Sequence, residues 1–83
     1  GDISKWNVSN VVNMMSLFMN ARFFDGNLSK WNINKVTNMY GIFMNSGFKG
    51  NVSMWTMSNK TTDTMNAFTG CSIPKHHKFH CLR

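Results

Sequence analysis

At 83 residues the chain has room for one small domain, and folding buries only about 60–65% of its unfolded surface. Its 8 Met, 7 Phe, 3 Trp and 1 Tyr compensate with large side chains, while 14% charged residues and a mean hydropathy of −0.28 leave Asn, Ser and Thr as the polar bulk, which suits turns rather than long charged helices. The net charge of +6 favours an acidic partner, or else a solvated lysine surface, and no run approaches the ~18 apolar residues of a membrane span.

The chain opens on a phrase that returns twice. Gly1-Asp-Ile-Ser-Lys-Trp6, Gly26-Asn-Leu-Ser-Lys-Trp31 and Gly50-Asn-Val-Ser-Met-Trp55 share their glycine, serine and tryptophan. Laying residues 1–20 on 26–45 without a gap gives 11 identities: Gly, Ser, Lys, Trp, Asn, Val, Asn, Met, Phe, Met and Asn. Self-similarity at such a period marks a repeat architecture. The units are 1–25, 26–49 and 50–73, with a divergent tail or cap at 74–83 of a single domain. Because the chain starts inside a repeat phrase and without Met, it reads as a processed product or a fragment.

Within the second unit, Trp31 and Ile33 are two apart, the spacing of a short strand. Val36, Met39 and Phe43 are three and four apart, the spacing of a short helix, with Thr37 or Asn38 placed to cap it. Each unit therefore reads as strand, corner, short helix and return loop. Stacking buries apolar faces that one unit cannot bury alone. Trp6, Trp31 and Trp55 are expected in one interior column, and Phe18, Phe43 and Phe68 in another. The recurring methionines Met14, Met39 and Met65 read as packing residues.

Polar strand positions would face solvent as a mildly basic sheet face. They are Lys5, Asn7, Lys30, Asn32 and Thr56, with Lys35 and Lys60 one turn on. A polyanion could meet lysines there at the repeat spacing, or the lysines serve solubility alone. Four Asn-x-Ser/Thr triplets, at Asn7, Asn27, Asn51 and Asn59, would accept glycans in a eukaryotic secretory setting, although Asn and Ser belong to the repeat phrase itself. No phosphate loop, paired carboxylates or Ser/His/Asp set is seen. Asp2, Asp25 and Asp63 are too scattered for acid–base work.

The tail gathers both cysteines and all three histidines. It admits a zinc site from Cys71, His76, His80 and Cys81, a Cys71–Cys81 disulfide stapling a terminal cap, or two reduced thiols. The zinc spacing matches no known finger, and a small fold gains most from the disulfide.

The repeat resembles that of the BspA-like leucine-rich-repeat surface proteins, in the variant found in mycoplasma lipoproteins. Its phrase runs close to Gly-Asp-Ile-Ser-Lys-Trp-Asn-Val-Ser-Asn-Val-Thr-Asn-Met-x-x-Met-Phe, followed almost throughout by residues 1–18 and 26–43. The third unit keeps Gly50, Ser53, Trp55 and the ending Ala67-Phe68-Thr-Gly-Cys71. The resemblance implies an α/β repeat fold: a short right-handed leucine-rich-repeat-like solenoid, with one strand and one helix in each of three repeats. It also implies a binding or adhesion module outside the cell, for a protein or glycan, with no enzyme activity and no cofactor. The alternatives are a structural subunit beside neighbouring subunits in a capsid or surface layer, which would place it in a virion, and a nucleic-acid-binding module.

Overall fold

The computed structural model describes residues 3–55 and 63–80. Short turns closed by asparagine build each repeat. The Asn27 Oδ1 accepts the Ser29 amide at 3.0 Å and its hydroxyl at 2.9 Å, and Asn51 holds Ser53 in the same way. A short polar side chain that bonds the backbone two residues on favours turns over helix or strand. The tryptophan amides then close the next turn, Trp31 onto Leu28 and Trp55 onto Val52, at 3.0 and 3.1 Å.

The segment around Phe43 departs most from expectation. The amides of Met14, Ser16, Phe18 and Asn20 donate to the carbonyls of Asn38, Tyr40, Ile42 and Met44 at 2.8–2.9 Å. Those of Met39, Gly41, Phe43 and Asn45 donate in turn to Asp63, Met65, Ala67 and Thr69 at 2.8–3.0 Å. The intervening amides close local turns instead: Ile42 onto Met39, Met44 onto Gly41 and Ser46 onto Phe43. A helix needs every amide bonded four residues back, whereas here alternate amides leave the segment. Left-handed backbone makes this possible. Ser16, Gly41 and Asn66 have φ near 60°, as do Asn20 and Asn45, and Gly70 has φ 72°. A residue in that conformation cannot continue a right-handed helix.

The expected right-handed leucine-rich-repeat-like solenoid, with a strand and a helix in each repeat, is therefore overturned. Among the described residues the regular elements are one 3-10 turn, Lys75–His77, and isolated parallel bridges joining Asn13 to Asn38 and Asn38 to Asp63. Among the described residues there is no sheet and no strand–helix solenoid, so they do not form an α/β repeat fold. The repeats instead pair as runs of turns.

That pairing places the core. Phe18, Phe43 and Phe68 stack with centroids 5.6 and 5.8 Å apart, and Phe24 stacks on Phe48 at 6.0 Å. These spacings exceed the ~4.8 Å between paired chains, as offset stacking requires. Trp31 stacks on Trp55 at 6.4 Å. Each indole N–H leans on the preceding repeat, Trp31 on the Ile3 carbonyl at 3.1 Å and Trp55 on that of Leu28 at 3.0 Å. Trp6, expected in the same column, is instead 61% exposed, because no earlier repeat is present among the described residues to receive its indole. Of the recurring methionines, Met14 and Met39 are buried, but Met65 is exposed.

The column continues into the tail. Phe79, as far from Trp55 as Trp55 is from Trp31, stacks on Trp55 at 5.8 Å and tilts against Phe68 at 4.7 Å. The Val52 amide donates to the His77 carbonyl, so residues 74–80 lie along the third repeat.

Candidate functional site

Lys5, Asn7, Lys30, Asn32 and Lys35 are all exposed, and Thr56 and Lys60 lie outside the described residues. The described ones sit in or beside turns and not on a sheet face. Asn7 and Asn32 are positioned by their own backbone: the Asn7 Oδ1 accepts the Ser9 amide and the Asn32 Oδ1 that of Asn34. Lys35 reaches across to the preceding repeat and donates to the Asn10 Oδ1 at 3.1 Å. The position of Lys5 and Lys30 is taken in the third repeat by Met54, 85% exposed.

The electrostatics follow from where the carboxylates go. The Asp25 Oδ1 accepts the Lys49 backbone amide and the Asp63 Oδ1 that of Met65, both at 2.9 Å. No ion pair forms among the described residues. The described acids thus cap backbone amides, and among the described residues no exposed cation pairs with a carboxylate.

Two basic residues that the periodic reading passed over come to the same cleft. Arg22 and Lys49 line one cleft of about 410 Å³, together with Asn45, Gly70 and Ser72. Both sit in return loops, where the repeats differ in length, so alignment on the tryptophans hides their proximity. The signal available was simply that each is a cation in a loop.

In the tail, Cys71 takes the place of Ala21 and Ser46, the three amides each closing a turn on the preceding phenylalanine. Its thiol donates to the Phe48 carbonyl at 3.1 Å and is free. Cys81 lies outside the described residues, and with it the disulfide and one zinc ligand. Among the described residues no three His, Cys, Asp or Glu side chains gather. The His76 and His77 rings touch edge-on at 4.5 Å, and the His77 Nδ1 lies 2.9 Å from the Lys49 carbonyl, as a donor. His80 is exposed. The triplets at Asn7, Asn27 and Asn51 each use their serine to close a turn; that at Asn59 lies outside the described residues.

The family described as mycoplasma protein of unknown function, DUF285, matches residues 1–78. No curated protein matches the chain. No solved structure matches it.

Proposed function

Because the chain belongs to the DUF285 family of mycoplasma proteins of unknown function, we propose that it is a non-catalytic binding module of a BspA-like surface protein, holding an acidic glycan or protein. The observation that carries this reading is the fate of the charges. Asp25 and Asp63 are engaged by backbone amides, while Lys5, Lys30, Lys35, Arg22 and Lys49 stay exposed. Exposed cations on a backbone held by turn and inter-repeat bonds attract polyanions by releasing their counterions. Immobilised heparin is expected to retain the full chain at low salt, with affinity falling roughly tenfold or more between 50 and 200 mM NaCl. Neutral dextran is expected not to retain it. Absence of retention, or retention indifferent to salt, would sink the reading.

A second reading, as a subunit of a larger assembly, draws on the outer edge of the first repeat. The carbonyls of Asn13, Met15, Leu17 and Met19 accept no backbone bond among the described residues, although those of Asn38, Tyr40, Ile42 and Met44 all do. Leu17 and Trp6 are 50% and 61% exposed, whereas Ile42 and Trp31 at the same phases are buried. Sedimentation velocity over a hundredfold range of concentration is expected to show self-association on this reading. A monomer at every loading rejects it.

A further inference from the structure

The Arg22–Lys49 cleft carries more than diffuse charge. Its volume of about 410 Å³ falls within the ~300–1,000 Å³ of small-molecule sites. The side chains around it are cationic, amide or hydroxyl; with Ser46 and Gly47 completing the wall, none is apolar. A peptide's apolar anchor would find no partner here, whereas a sugar ring with several hydroxyls would.

Two further features make the cleft a built surface. The Gly70 amide donates to nothing among the described residues, although its counterparts Asn20 and Asn45 give theirs to the following repeat. Gly70 holds φ 72°, and a Cβ there would collide with the Asn45 Oδ1. The Asn45 carboxamide is thus seated against Gly70, and its Nδ2 donates to the Asn20 Oδ1 at 3.3 Å. The lining therefore includes a fixed amide and a backbone N–H with no partner among the described residues, together with two cations.

We propose that this cleft binds one anionic sugar unit of a glycan. Its carboxylate or sulfate meets the Arg22 guanidinium and the Lys49 ammonium, and its hydroxyls meet Asn45, Ser72 and the Gly70 amide. Arginine's planar fork suits either oxyanion. The inference rests on the acidic-partner reading and narrows it to a sugar and a place.

The test is an amide NMR titration of the full chain with glucuronic acid, N-acetylglucosamine 6-sulfate, N-acetylglucosamine and inorganic sulfate. The Gly70 resonance is expected to move with one or both acidic sugars, which tells carboxylate from sulfate, and far less with the other two probes. Arg22→Gln with Lys49→Gln alters only exposed side chains and is expected to keep wild-type melting while weakening acidic-sugar binding about tenfold or more. Lys75→Gln, at an exposed cation outside the cleft, is expected to leave it unchanged. The inference is overturned if inorganic sulfate or the neutral sugar matches the acidic sugars, if Gly70 stays still, or if the Arg22/Lys49 variant binds as wild type. Heparin retention that persists in any of those cases overturns the cleft alone, whereas its loss in the unmodified chain overturns the parent reading.

Discussion

Phe43→Ala is expected to lower stability by about 3–5 kcal/mol, seen as a large drop in the urea midpoint. Phe43 is fully buried at the crossing of every aromatic column. Its ring stacks on Phe18 at 5.6 Å, Phe68 at 5.8 Å and Phe48 at 4.5 Å, and tilts against Trp55 at 6.1 Å. Truncation leaves a cavity that its neighbours cannot easily fill, because the Phe18 amide is tied to the Ile42 carbonyl and the Trp55 indole to the Leu28 carbonyl. Small domains have only about 5–15 kcal/mol in hand, so the variant is expected to be partly unfolded at 25 °C. Phe23→Ala, at a fully exposed ring, is the matched control and should melt near wild type. Equal midpoints for Phe43→Ala and wild type would mean that the columns do not hold the fold.

The second large effect is expected at Gly47. A Cβ there would run into the Arg22 carbonyl oxygen, and the chain around Arg22 cannot step aside, since the Gly47 amide donates to the Ala21 carbonyl at 3.0 Å. Gly47→Ala should therefore lose about 1–3 kcal/mol or more. By contrast, a Cβ at Gly26 would meet the Phe24 ring at 2.9 Å, a side chain that can rotate. Thermal melting of the two variants checks the ranking, and Gly47→Ala melting at or above Gly26→Ala would refute the close crossing of the loops. The same crossing sets one wall of the Arg22–Lys49 cleft, so Gly47 links the stability of the loops to the shape of the candidate site.

The period, the burial of Trp31, Trp55, Phe18, Phe43 and Phe68 and the seat of Cys71 in its repeat position were legible because each is a property of residue type at a fixed phase. Large apolar groups that recur at one phase leave water together when the repeats pair. Trp6 broke that rule because burial belongs to a neighbouring repeat as much as to the residue. Phe79 was legible in principle from its spacing to Trp55, but the tail keeps too little of the phrase for alignment to show it.

The backbone between Val36 and Phe43 was not legible from apolar spacing. Steps of three and four suit a helix and a run of turns equally well, since both bring the same residues to one side. The turn-prone residues Ser16, Gly41 and Asn66, with Asn20, Asn45 and Gly70, carried the contrary signal, and all are left-handed in the structure. What tipped the balance is non-local: alternate amides find acceptors a whole repeat away, acceptors that a single repeat does not contain. The site divides along the same line. Sequence alone determined the excess of lysine and arginine, the scarcity of acids and the repeat that spaces them. Only the tertiary structure decided that Asp25 and Asp63 cap backbone amides and that Arg22 and Lys49 line one cleft, because loop crossings depend on how repeats pair and not on the phase within any one of them.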